Sequence, residues 1–280
     1  MTRRFMQVDV FTHEPLKGNP LAVVLDAEGM DDATMRSFAR WTNLSETAFL
    51  LPPTQPGADY RVRIFTPDRE LPFAGHPTLG SCHAWLLGGG RPRGEVIVQE
   101  CGLGLVRVRR QASAQGPRLA FAAPPLRRGG PLDPDTLAQI VRCLRISPAD
   151  VRRHQWACNG PDWAVVMLGS AQAVLELTPD FSAIGALDIG VLGPYPVGSD
   201  CRFELRAFLP TPGVQEDPVT GSLNAGVAQW LIGADLAPPE YVASQGTALG
   251  RAGRVHVEQA GADVWIGGHS VTCIEGSLAL

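Results

Sequence analysis

Three short polar segments in a chain otherwise rich in glycine and apolar residues carry groups that could move a proton. The first contains Glu46, which lies between an amphipathic helix pattern and the apolar strand pattern of residues 47–51. A carboxylate at the start of a buried strand is partly desolvated, and its pKa then rises toward the range that suits proton transfer. A solvated loop acid is the commoner role for such a residue, so the local sequence leaves both roles open.

The second segment is a glycine turn that opens directly into an apolar, helix-like run. His76 follows Gly75, and Pro77 and Thr78 continue into the first helical turn. Histidine titrates near neutrality, so His76 could contact a substrate or relay a proton, but it could also simply hydrogen bond to the start of the helix. The free N–H groups of such a helix end form a site for a carboxylate or a phosphate.

The third segment has the same construction, with Asp217, Thr220, Gly221 and Ser222 preceding a second apolar helix pattern. Asp217 and Ser222 flank the predicted helix start, where an N-cap is the commonest role for either residue type. Two matching segments predict two related halves, with central helices at 76–88 and 222–233. Asn19, between a glycine and a proline, first indicates an ordinary turn.

Composition excludes several classes of protein. The 280 residues carry a net charge of −4, so there is no basic footprint for nucleic acid. No apolar run reaches the ~20 residues of a membrane span, and the N-terminal segment lacks the apolar core of a signal peptide. The six cysteines form no C-x-x-C pair and have no histidine at zinc spacing, which predicts free buried thiols in a reducing cytoplasm and no metal site.

Most of the remaining segments are short and alternate with period two, which predicts antiparallel strands with one buried and one wet face. The polar residues assigned to wet faces are Gln7, Asp9, Arg61, Arg63, Arg107, Arg109, Arg202, Glu204, Arg206, Arg254, His256 and Glu258. Helices are fewer, and two more begin at Asp31 and Asp133, so the predicted class is a sheet-rich α+β fold.

The polar residues 111–117 are the predicted crossing between two lobes, 1–114 and 115–266. Whether 267–280 rejoins the first lobe is left open.

Several motifs in this order are more specific than any single segment. They are Asp9-Val10-Phe11-Thr12, Gly18-Asn19-Pro20, Asn43-Leu44-Ser45-Glu46-Thr47, Arg63-Ile64-Phe65-Thr66-Pro67, Leu71-Pro72-Phe73-Ala74-Gly75-His76-Pro77-Thr78, Glu216-Asp217-Pro218-Val219-Thr220-Gly221-Ser222, Gln245-Gly246 and Gly250-Arg251. Together they resemble the PhzF family of phenazine biosynthesis over nearly the whole chain. The resemblance implies the fold of diaminopimelate epimerase, in which each of two pseudo-symmetric lobes wraps a mainly antiparallel sheet round a central helix, with the site between the lobes. It also implies a homodimer that needs no metal or organic cofactor.

The resemblance further implies an activity and a set of site residues. The best-understood family activity isomerises a dihydro-hydroxyanthranilate by moving a proton between ring carbons, and the family's acid/base glutamate matches Glu46. His76 and Asp217 match groups that assist the proton movement. The predicted substrate contacts are Asn19, Ser45, Gly75, Pro77, Thr78, Thr220, Gly221 and Ser222. The predicted substrate is a small molecule that carries a carboxylate.

Two positions separate this chain from the racemases that the family resembles in fold. Those enzymes use one thiol before each central helix, whereas this chain has Ala74 and Thr220 at the matching positions. A single carboxylate returns a proton to the face from which it took it, so the sequence favours a suprafacial hydrogen shift over stereoinversion. An isomerase or racemase acting on another small acid, and a non-catalytic paralogue, stay as alternatives. Retention of Glu46 with His76, Asp217 and Ser222 weighs against the non-catalytic one.

Overall fold

The computed structural model describes residues 2–211 and 214–280. Its strands are β1 (Thr2–Val10), β2 (Asn19–Val24), β3 (Thr47–Leu51), β4 (Tyr60–Phe65), β5 (Glu70–Leu71), β6 (Val96–Cys101), β7 (Gly104–Gln111), β8 (Arg118–Ala122), β9 (Arg153–Cys158), β10 (Asp162–Met167), β11 (Asp188–Pro194), β12 (Phe203–Thr211), β13 (Val214–Asp217), β14 (Glu240–Gln245), β15 (Gly253–Ala260), β16 (Asp263–Gly268) and β17 (Ser270–Ala279).

The helices are α1 (Asp32–Thr42), α2 (Gly75–Leu87), α3 (Pro134–Leu144), α4 (Ala171–Leu175) and α5 (Gly221–Gly233), with single 3-10 turns at Pro148–Asp150, Phe181–Ala183 and Thr247–Leu249. The two helices predicted to begin at Asp31 and Asp133 are α1 and α3, and each of these residues is the N-cap. Asp31 accepts the Thr34 N–H at 2.7 Å, and Asp133 accepts the Thr136 N–H at 2.9 Å. No helix in the described ranges is long and apolar enough to cross a bilayer.

The chain divides into two compact units. The first contains the residues up to Ala122 together with Gly267–Leu280, and the second contains Ala123–Ile266. Residues 111–117, predicted as the crossing, instead join β7 to β8 in an antiparallel hairpin inside the first unit. The first unit therefore extends eight residues beyond the predicted boundary at 114.

The two units repeat one strand topology. In the first, β1–β2, β3–β4, β4–β5 and β6–β7 pair antiparallel, whereas β2–β3 and β4–β6 pair parallel. In the second, the same sequence of pairings runs from β9 to β15. The predicted α+β fold with pseudo-symmetric halves is thus confirmed.

Each unit wraps its strands round one apolar helix. Helix α2 packs against β1, β2, β3 and β8, and helix α5 packs against β9, β10 and β15. A side chain at Gly80 of α2 would meet Leu21 at 2.6 Å, and one at Gly226 of α5 would meet the Ala157 carbonyl at 2.7 Å. These two glycines therefore allow each helix to approach its sheet closely.

Three residues that the alternation assigns to wet faces are buried. Asp9 is 2% exposed, Arg206 6% and Glu204 fully buried. Each has polar partners that period-two patterning cannot show: the Asp9 carboxylate accepts the Gly18 N–H, and Glu204 accepts the Tyr195 hydroxyl at 2.8 Å. The six cysteines are unpaired, five of them buried and Cys273 half-buried.

Candidate active site

The local fold places Glu46 at the entrance to a buried strand. Helix α1 ends at Thr42 and is capped by Asn43, whose left-handed conformation (φ 54°) turns the chain and whose N–H donates to the Ala39 carbonyl. Four residues later, Thr47 begins β3 and is fully buried. The hydroxyls of Thr42 and Thr47 lie 3.1 Å apart, so both sides of the loop are tied together.

The glycine turn places His76 as the second residue of α2. Ala74 is the N-cap and has no side chain that could bond to the helix start. The Thr78 hydroxyl donates to the Ala74 carbonyl at 2.9 Å and accepts from the Gln99 amide at 3.0 Å. A buried glutamine, Gln99, therefore holds the first turn of the helix through Thr78. The N-cap position itself carries no polar side chain.

Glu46 and His76 meet inside the first unit. The Glu46 Oε2 atom lies 3.4 Å from the His76 Nε2 atom, and the two side chains are 16% and 4% exposed. Burial lowers the pKa of His76 to about 3, because the charged imidazolium is costly away from water. His76 is therefore neutral near pH 7, and its contact with the Glu46 carboxyl group is not an ion pair.

Asn19 joins this pair from β2. It is the first residue of that strand and is fully buried, so the predicted turn is instead the start of a strand. Its Nδ2 atom lies 3.3 Å from the His76 Nδ1 atom. Three of the predicted site residues, Asn19, Glu46 and His76, thus form one contiguous polar cluster.

Acidification should reveal the buried state of His76. Its folded pKa lies below the unfolded value of about 6.5, so below that pH the unfolded chain binds a proton that the folded protein excludes. Stability should be unaffected by this group above about pH 7 and should fall by about 2 kcal/mol between pH 7 and pH 5. We expect the free energy of unfolding of His76→Gln, measured by urea unfolding at pH 7 and pH 5, to lack this decrease of about 2 kcal/mol. An equal loss in the variant and the wild type would contradict a neutral, buried His76.

In the second unit, Asp217 and Thr220 precede α5. Asp217 is the last residue of β13, and Thr220 is the N-cap of the helix. The Thr220 hydroxyl donates to the Asp217 carboxylate at 2.6 Å. Neither Asp217 nor Ser222 is the N-cap, so the capping role that the local sequence favoured for them is wrong.

Gln245 organises this helix start and was not identified as a candidate from the sequence. Its Oε1 atom accepts from the Thr220 N–H at 3.0 Å and from Asn224 at 2.9 Å. Its amide nitrogen donates to the Asp217 carbonyl at 3.1 Å and to the Thr220 hydroxyl at 2.9 Å. Gln99 has the equivalent position in the first unit. The only sequence signal for Gln245 was its place in a Gln-Gly motif, and Gln99 had none.

Ser222 is held by two side chains. The Trp163 indole donates to its hydroxyl at 3.1 Å, and the Asn159 amide donates to its carbonyl at 3.0 Å. Gly221 begins α5, as Gly75 begins α2, while Pro77 and Thr78 complete the first turn of α2. Ser45 lies half-buried in the loop beside Glu46. Within the described residues, no group of three or more His, Cys, Asp and Glu side chains is placed to hold a metal ion.

Comparison with known proteins places these features in an enzyme class. The chain is 33% identical to the trans-2,3-dihydro-3-hydroxyanthranilate isomerase of Pseudomonas aeruginosa, over 98% of this chain and 95% of that protein. It is 36% identical to antisense-enhancing sequence 1 of Schizosaccharomyces pombe, over 97% of each. The fold and the relatives with a named activity define an isomerase, as predicted.

The family follows from the same comparison. The pattern of the family described as phenazine biosynthesis-like protein, PhzC-PhzF, matches residues 8–276. The chain belongs to this family. A PhzF family structure from Enterococcus faecalis superposes over 100% of both chains with a TM-score of 0.81 at 27% identity. A hydroxyproline epimerase from Agrobacterium vitis shares the fold with a TM-score of 0.63 at 15% identity, covering 100% of this chain and 93% of that one.

Proposed function

We propose that this protein is a cofactor-independent isomerase that shifts a proton within a small conjugated carboxylic or amino acid. The substrate class is trans-2,3-dihydro-3-hydroxyanthranilate or a close analogue. The observation that carries the proposal is the approach of Glu46 to 3.4 Å from a buried, neutral His76. A carboxyl group that is shielded from water and contacts an uncharged hydrogen-bonding partner can cycle between its two protonation states.

In the proposed reaction, the Glu46 carboxylate removes a proton from an activated carbon of the substrate. The same group then delivers a proton to another carbon of the conjugated system, so the product is an isomer and no other reactant is consumed. Asp217, Thr220, Gly221 and Ser222 bind the substrate in this proposal, as the family resemblance implies. The homodimer that the resemblance implies and the cytoplasmic location that the free cysteines indicate belong to the same proposal.

Stereoinversion is disfavoured by the two N-cap residues of the central helices. They are Ala74 for α2 and Thr220 for α5, and neither carries a thiol. All six thiols lie elsewhere in the chain, and burial raises the pKa of Cys82 to about 12 and that of Cys158 to about 11. A thiol with a raised pKa is a poor proton acceptor at neutral pH because little thiolate is present.

A panel of substrates tests the proposal. Purified protein is incubated with trans-2,3-dihydro-3-hydroxyanthranilate, with proline and with hydroxyproline, and the products are followed by NMR and chiral chromatography. We expect the dihydro compound to be converted to a tautomer of equal mass, and we expect no inversion of either amino acid. Inversion of an amino acid without turnover of the dihydro compound would favour the racemase alternative. Binding without turnover of any compound would favour the non-catalytic one.

A further inference from the structure

The contact between Asn19 and His76 bears on which nitrogen of the His76 ring carries the proton. We propose that Asn19 is a positioning residue that holds neutral His76 in the tautomer with its proton on Nε2, so that the ring N–H of His76 is on the side that faces Glu46. The catalytic part of this inference rests on the proposed function, whereas the tautomer itself does not.

The backbone round Asn19 fixes the position of its amide. Asn19 pairs with Val10 across the β1–β2 ladder. The preceding Gly18 donates its N–H to the buried Asp9 carboxylate at 3.0 Å, and a Cβ at Gly18 would lie 2.1 Å from the Val10 carbonyl oxygen. The loop is thus held by a carboxylate and packed closely against β1 on the residue that precedes Asn19.

Hydrogen-bond chemistry then determines the state of the imidazole. The Asn19 amide is oriented with Nδ2 toward His76 Nδ1, at 3.3 Å, and because an NH₂ group can only donate, that ring nitrogen accepts in this orientation. A neutral imidazole carries one proton, which must therefore be on Nε2. The Nε2 atom is the one that lies 3.4 Å from the Glu46 Oε2 atom.

This orientation favours one protonation state of Glu46. An N–H group 3.4 Å from a carboxylate oxygen stabilises the charged form of the carboxylate, which is the form that acts as a base. The opposite tautomer would accept a hydrogen bond from the protonated acid and would stabilise the form that cannot remove a proton. Asn19 thus prepares Glu46 for the first step of the reaction by acting through His76.

Nitrogen-15 NMR of the substrate-free protein tests the tautomer. His83 lies on the same helix, with its Nε2 atom 3.0 Å from the Thr272 hydroxyl, and its ring signals serve as an internal reference. We expect the His76 signals to show a protonated Nε2 and a bare Nδ1 at pH 7. A protonated Nδ1 in the wild-type spectrum would overturn the proposal, and that spectrum decides the tautomer without any variant.

The variant Asn19→Leu tests whether Asn19 is the cause. Leucine fills similar space without a donor, so we expect the His76 signals to move toward a mixture of tautomers while the His83 signals stay in place. We also expect kcat to fall about fivefold with KM within about twofold of the wild type, since a lost neutral hydrogen bond corresponds to about 1 kcal/mol. Unchanged His76 signals would show that Asn19 does not set the tautomer. A changed tautomer with an unchanged kcat would overturn the catalytic part alone.

Discussion

Replacing Glu46 by glutamine should lower kcat for a confirmed substrate by about 10²–10⁴-fold, the range that a positioned general acid or base contributes. Glutamine keeps the size and hydrogen-bonding capacity of the side chain and removes only its ability to gain and lose a proton. KM should change little, because binding is not the step that requires the carboxylate. Initial rates measured across substrate concentrations would separate the two parameters.

Two further variants separate proton transfer from packing. Glu46→Asp keeps an ionisable group on a shorter side chain, so it should retain clearly more activity than Glu46→Gln. Glu95→Gln makes the same chemical change at an exposed position in the same unit and should leave kcat unchanged. Wild-type turnover by Glu46→Gln, or equal losses in the Gln and Asp variants, would remove Glu46 from the role of acid/base.

The largest loss of stability is expected from breaking the ion pair between Arg206 and Glu216. Arg206 donates to both carboxylate oxygens of Glu216, at 2.9 and 2.8 Å, and the two side chains are 8% and 10% exposed. It also donates to the carbonyls of Val174 and Leu177, which fixes α4 to β12. Arg206→Met would leave a buried carboxylate and two carbonyls without their donor, which should cost about 3–5 kcal/mol.

Urea unfolding followed by tryptophan fluorescence would measure this loss. The double variant Arg206→Met, Glu216→Leu removes both charges, so it should recover most of the stability lost in the single variant. Arg127→Met breaks an exposed pair with Asp162 in the same unit and should cost at most about 1 kcal/mol. If Arg206→Met cost no more than Arg127→Met, the pair would not behave as a buried one.

The repeated architecture was predictable because its signals are local. Alternation marks strands, and a glycine followed by an apolar run marks each central helix, so both helices were placed within one residue of their observed starts. The burial of Glu204 and Arg206 was not predictable in this way. Both lie on the face of β12 that the alternation assigned to solvent. The Val174 carbonyl that accepts from Arg206 belongs to α4, a five-residue helix with no clear pattern in the sequence.

In the candidate site too, some residues were predictable from the sequence and others were not. Glu46, His76 and Asn19 were recognisable because they occur in specific motifs, and the structure brings them into contact. Gln99 and Gln245 were missed because each acts through hydrogen bonds to residues more than twenty positions away. Such contacts leave no periodic trace, and a glutamine inside a strand pattern reads simply as a polar position.

The measurement that tests proton transfer by a single carboxylate most directly uses substrate labelled with deuterium at the carbon that loses its proton. The reaction is run in ordinary water under single-turnover conditions, and the product is analysed by NMR. We expect part of the deuterium to reappear at the new C–H position, on the face from which it left, because Glu46 carries it there. Product with no deuterium and with the new hydrogen on the opposite face would show delivery by a second group and would contradict the proposed mechanism.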